Sequence, residues 1–155
     1  MQKKIYIKSM EISLHLMVIF LLFSSAGATQ IKYCDKTGNY PVQVEGVKIW
    51  PERVVTGNPT TFNLSASTDE YIGGGKVLII VSYFSVPVHI EIHDLCEKVA
   101  CPVPGGDFVL SHTQILPKIT PPGHYTLLAR MSDEEGQELT CISFHFNIYV
   151  KNLPS

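Results

Sequence analysis

Residues 141–150 alternate without a break: Ile142, Phe144, Phe146, Ile148 and Val150 fall on one phase, and Cys141, Ser143, His145, Asn147 and Tyr149 on the other. A period of two places successive side chains on opposite faces of a strand, so such a segment buries its apolar set only within a sheet. The same pattern recurs along the chain. Phe62, Leu64 and Ala66 alternate with Asn63, Ser65 and Ser67, and Val88, Ile90 and Ile92 alternate with His89, Glu91 and His93. Val42, Val44, Val47 and Ile49 change phase at Glu45-Gly46, the mark of a bulge. Residues 76–84 are apolar on both phases, as a central or doubly covered strand requires. Residues 108–115 and 125–132 add two more strands, separated by the proline-rich loop 117–123, and Asp133-Glu134-Glu135-Gly136 reads as a hairpin turn. About seven strands with no sustained helical period predict an all-β, immunoglobulin-like antiparallel sandwich. No repeat or interior linker divides it.

The first residues are expected to be an address rather than part of that sandwich. Lys3, Lys4 and Lys8 precede an apolar run over 14–23, and Ser24-Ser25-Ala26-Gly27-Ala28 supplies small residues for cleavage, so residues 1–28 read as a secretory signal peptide. About ten apolar residues are too few for a membrane anchor, which needs roughly 20. The domain then occupies 29–155, with nine basic and thirteen acidic side chains and no basic stripe to hold a nucleic-acid backbone. The last four residues are not an ER-retention signal, which leaves the extracellular space, vacuole and endosome open.

A secretory route makes the four cysteines an even set in an oxidising compartment, hence two expected disulfides. Of the three pairings available, the short spacing of Cys96 and Cys101 favours local closure, which leaves Cys34 with Cys141. Zinc ribbons and fingers use close cysteine pairs and paired histidines that this spacing lacks.

Constellations for covalent chemistry are sparse. Gly73-Gly74-Gly75-Lys76 is followed by Val77 where a phosphate loop needs Ser or Thr, and by a strand instead of a helix. Asp94, Glu97, Asp107 and the acids of 133–138 fall at turns, where charge normally serves solubility. The chain is therefore expected not to be an enzyme and to need no cofactor. His89, Glu91 and His93 share a strand face and are each able to bind metal, yet the same three residues suit a solvated outer face, so no metal is expected. Asn63-Leu64-Ser65 is an N-glycosylation sequon with Asn63 on the polar phase.

Several local contexts resemble the ML lipid-recognition family: Tyr33-Cys34-Asp35, the sequon strand, Val86-Pro87-Val88, Asp94-Leu95-Cys96, Cys101-Pro102 and Leu139-Thr140-Cys141. The resemblance extends over residues 31–150 and is strongest to plant phosphatidylglycerol/phosphatidylinositol transfer proteins, with the Niemann-Pick type C sterol carrier a more distant relative. The sterol carrier has a third disulfide for which this chain has no cysteines, and the two inferred here correspond to its other two. What the resemblance implies is an apolar tunnel between the sheets that holds one sterol or phospholipid. On that reading the lining is Phe62, Leu64, Ile79, Val81, Val88, Ile90, Tyr125, Leu127, Ile142, Phe144 and Phe146. The mouth lies between residues 86–90 and 116–122, where Leu116 and Ile119 are expected to meet lipid or membrane. The implied partners are a lipid, a membrane touched transiently by a monomeric protein and, in an adaptor role, a receptor bound through the surface around Leu78 and Ile80.

Overall fold

A computed structural model of the chain describes residues 29–151. The expected signal peptide and the C-terminal four residues lie outside the described residues. Two sheets face one another. The smaller has the order β2-β4-β7, from Val42–Trp50, Pro59–Thr68 and Gly106–Ile115. The larger has the order β1-β9-β8-β5-β6, from Ile31–Tyr33, Glu138–Tyr149, Gly123–Ser132, Lys76–Tyr83 and Val86–Asp94. The remaining strand, β3 (Val54–Val55), joins β9 in a short parallel contact, and every other strand pair is antiparallel. Among the described residues no helix is long and apolar enough to cross a membrane.

The strands form where the alternation places them. In β4 the apolar phase of Phe62, Leu64 and Ala66 is buried, and in β9 Ile142, Phe144, Phe146 and Ile148 are buried. β5 is apolar on both phases because it is central, with β8 on one side and β6 on the other. The inner faces meet through aromatic contacts: Phe62 lies edge-on to Phe146 with centroids 5.4 Å apart and tilted to Phe144 at 6.2 Å. The bulge expected at Glu45-Gly46 is present in the β2–β4 pairing.

One end of the sandwich is closed by covalent and apolar means. A single 3-10 turn, Leu95–Glu97, begins at Asp94, whose carboxylate accepts a hydrogen bond from the Cys96 amide at 2.8 Å. It buries Leu95 completely and is followed by the Cys96–Cys101 disulfide. Ile72 and Val103 pair beside it and are also buried. Gly75 opens β5 at this end and has no freedom to change. At its positive φ of 149°, an added Cβ would stand 2.0 Å from the Ser132 carbonyl oxygen. The second disulfide, Cys34–Cys141, ties the residue after β1 to β9, and the Cys34 amide donates to the Cys141 carbonyl at 2.9 Å. Cys141 sits on the polar phase of β9 yet is fully buried.

Candidate functional site

Away from that closed end the two inner faces do not meet, and a cavity of about 360 Å³ opens between them. Its walls come from both sheets: Phe62, His112 and Gln114 on the smaller, and Ile79, Val81, Tyr125, Leu127, Phe146 and Ile148 on the larger. The loop joining β7 to β8 contributes Leu116, Pro117, Ile119, Thr120 and Pro121. A volume of this size lies in the range of small-molecule sites, and the wall is mostly apolar, so the space suits a hydrocarbon group better than a solute that hydrogen-bonds. Ile119 is both a wall residue and 92% exposed, which marks the opening.

The loop at the opening is held by hydrogen bonds from β8, from the turn between β3 and β4, and within itself. The Tyr125 hydroxyl donates to the Pro121 carbonyl at 2.8 Å, the Gly57 amide to the Leu116 carbonyl at 2.8 Å, and the Thr120 amide closes a turn onto Pro117 at 3.0 Å. Tyr83 stacks on Tyr125 with centroids 4.7 Å apart. Beyond Tyr83 the β5–β6 hairpin turns through Phe84 and Ser85, both at positive φ, and leaves the Phe84 ring exposed beside the opening.

Of the residues predicted to line a cavity, Phe62, Ile79, Val81, Val88, Leu116, Ile119, Tyr125, Leu127 and Phe146 do so. Leu64, Ile142 and Phe144 are not on its wall. They lie nearer the closed end, where Leu64 and Phe144 border only a void of about 10 Å³, at or below what one water needs. They are solid core.

Ile90 is a correction of a different kind. It was expected inside, with His89, Glu91 and His93 outside, and the structure reverses the two sets. The hairpin pairs Tyr83 with Val86 and Ser82 with Pro87, after which Val81 pairs with His89 in place of Val88. Val88 is the extra residue of a bulge, and one extra residue turns every later side chain to the opposite face. Ile80 then faces Ile90, and Leu78 faces Ile92, on the outside, where Ile90 is 60% and Ile92 68% exposed. His89, Glu91 and His93 oppose the inward residues Val81, Ile79 and Val77.

His89 and Glu91, with His112 from β7, form one edge of the cavity, and His93 lies beside them against Glu91. Glu91 accepts hydrogen bonds through one carboxylate oxygen from His89 and through the other from His93 Nε2 at 2.6 Å. His112 Nε2, from the facing edge strand β7, lies 3.6 Å from Glu91 Oε2. Burial opposes the charge on Glu91, but the hydrogen bonds from His89 and His93 outweigh it and hold its carboxyl below the usual range. Burial pushes the His112 imidazole down, and the Lys98 charge adds to this against the pull of Glu91. His89, Glu91, His112, Tyr83 and Ile148 were not anticipated as wall residues. Neither the turn at Phe84-Ser85, two non-glycine residues at positive φ, nor a bulge without a glycine leaves a mark in the sequence.

Comparison with known proteins places this geometry. The family model described as the ML domain matches residues 28–148. A phosphatidylglycerol/phosphatidylinositol transfer protein of Schizosaccharomyces pombe is 32% identical over 130 residues, covering 76% of this chain and 67% of that protein. The protein of the same name from Aspergillus fumigatus is 29% identical over 130 residues, covering 79% of this chain and 74% of its own length. Among solved structures, a Niemann-Pick type C2 protein from Japanese carpenter ant aligns with a TM-score of 0.62 at 13% identity, covering 77% of this chain and 99% of that one. Chicken MD-1, crystallised with lipid IVa, aligns at 0.50 and 17% identity over 76% of this chain and 87% of its own. The match to the family model over most of the chain, together with the shared sandwich, makes this protein a member of the ML-domain family.

Proposed function

We propose that the protein holds the apolar part of one lipid in the cavity between its sheets and carries it between membranes, without making or breaking a bond. The observation that carries this reading is the 360 Å³ apolar cavity opening between Ile119 and the β5–β6 hairpin. Moving hydrocarbon into water costs about 0.8 kcal/mol per methylene, so a walled apolar space removes most of the barrier to carrying a single lipid. The names of the fungal relatives support a phospholipid as cargo, and a sterol is the other class the cavity suits. The reading includes a route through the secretory pathway to a lumenal or extracellular site, a monomeric protein, and a glycan on Asn63. The β4 register sets Asn63 between Lys48 and Ser111 on the polar phase of the smaller sheet.

Contact with a membrane would fall to the exposed apolar tips beside the opening. Phe84 is 77% exposed and lines no part of the cavity, and its φ of 48° is one that Asp tolerates. Phe84→Asp is therefore expected to slow transfer of a fluorescent phospholipid between vesicles at least fivefold while changing equilibrium binding less than twofold. Transfer at the wild-type rate would remove the hairpin from the mechanism, and absence of transfer by the wild type would overturn the reading.

A second reading is supported by the reversed β6 face. Leu78 and Ile80, with the exposed Ile90 and Ile92, make an apolar strip on the outer side of the larger sheet. Such strips suit a protein partner, which would make the molecule a presenter of its lipid to a receptor.

A further inference from the structure

The histidine-lined edge is larger than a lipid cavity needs. Three imidazoles and one carboxylate meet across the seam between β6 and β7, which belong to different sheets. From this convergence we infer that Glu91, His93 and His112, with His89 beside them, form a binding site for a divalent transition-metal ion of the zinc type. The inference does not depend on the cavity carrying lipid.

Spacing supports it. One ligand atom from each of Glu91, His93 and His112 falls within 4.8 Å of the others, and Glu91 Oε2 and His112 Nε2 are 3.6 Å apart. A tetrahedral site with bonds of about 2.0–2.1 Å separates its ligands by roughly 3.4 Å, so modest side-chain rotation brings the set onto one ion. The donors are of the right kind, because imidazole with a single carboxylate favours zinc, copper or nickel over calcium and magnesium.

A separate observation concerns His112 itself. It is 6% exposed, its Nδ1 is buried with no hydrogen-bond partner, and its Nε2 stands beyond hydrogen-bond reach of the nearest carboxylate oxygen. An ion bound at Nε2 would give that nitrogen the partner it lacks, and would leave Nδ1 as it is. A solvated face would have explained His89 and Glu91 alone. It does not explain a buried histidine on the opposite sheet aimed at the same carboxylate. An ion there would clip the two edge strands together along the cavity wall.

The test is calorimetric titration of zinc chloride into tag-free protein, expressed from the full chain through a secretory route and stripped with EDTA. One zinc per chain is expected at neutral pH, with a thermal shift of several degrees and no response to magnesium or calcium at the same concentration. His112 belongs to the buried inner face, so the partly exposed His93 and Glu91 carry the substitutions. His93→Gln and Glu91→Gln, each shown folded by circular dichroism in EDTA, should bind zinc at least tenfold more weakly. His145→Gln should bind as wild type, since His145 is exposed on the outer phase of β9 beside Thr126. A wild-type protein that takes up no zinc would overturn the inference. Zinc binding unchanged in both His93→Gln and Glu91→Gln would do the same by placing the ion elsewhere.

Discussion

Replacing Val81 with Trp is expected to lower lipid affinity at least a hundredfold and leave the protein folded. Val81 points inward from β5, opposite Leu127 of β8, and both line the cavity. It is only half-buried, because one side of it meets open space. An indole there projects into the 360 Å³ that the lipid would occupy. Excluding four methylenes at about 0.8 kcal/mol each removes roughly 3 kcal/mol, which corresponds to about a hundredfold in affinity. The same substitution in a filled core would cost about 1–3 kcal/mol in strain. Here the added atoms enter a void, so the melting temperature should hold or rise. Equilibrium binding of a fluorescent phospholipid, read beside thermal denaturation, separates the two effects. A stable Val81→Trp protein with wild-type affinity would mean that lipid sits elsewhere.

The second large effect concerns stability. Cys34 and Cys141 close a loop of sequence separation 107, and the chain-entropy model gives such a link about 4 to 5 kcal/mol. Cys96 and Cys101 are separated by only 5, for which the same model gives about 2 kcal/mol. With total stability of about 5–15 kcal/mol for a typical domain, the Cys34→Ser/Cys141→Ser protein should be close to unfolding at 37 °C. The structural consequence is local as well. β1 has three residues and pairs only with β9, so without the bridge it is left to that pairing and to the Tyr33 hydroxyl, which bonds the Val44 amide and carbonyl. Urea denaturation of the Cys34→Ser/Cys141→Ser protein and of Cys96→Ser/Cys101→Ser should show the larger midpoint loss for the long loop. Equal losses would place the stabilisation in native contacts and not in the unfolded chain.

The sandwich was legible because burial of one strand face writes a period of two into the sequence. β9 and β4 needed no other information, and the glycine at Glu45-Gly46 betrayed its bulge. β1 and β3 leave no mark in the sequence because three residues and two residues are too short to show a period. The cavity was less legible than the strands. An inward residue reads the same whether it faces a void or another side chain, so Phe146, on the wall, and Phe144, in solid core, cannot be told apart by alternation. What divides them is distance from the closed end, a property of the two sheets together. The reversal of β6 has a sharper cause. A bulge at Val88 carries no sequence mark, and from it followed the wrong face for Ile90 and the unexpected inward placement of Glu91. The histidine cluster was visible as a spacing, but its partner His112 is separated from it in sequence and joined to it only by the facing of two edge strands.

The most direct test is to express the whole chain through a secretory route, purify the protein without detergent, and identify by mass spectrometry what is released on denaturation. One sterol or phospholipid per protein molecule is the expected result, and it would name the cargo class at the same time. Protein that releases no lipid, and that also fails to take up added fluorescent sterol and phospholipid, would contradict the account.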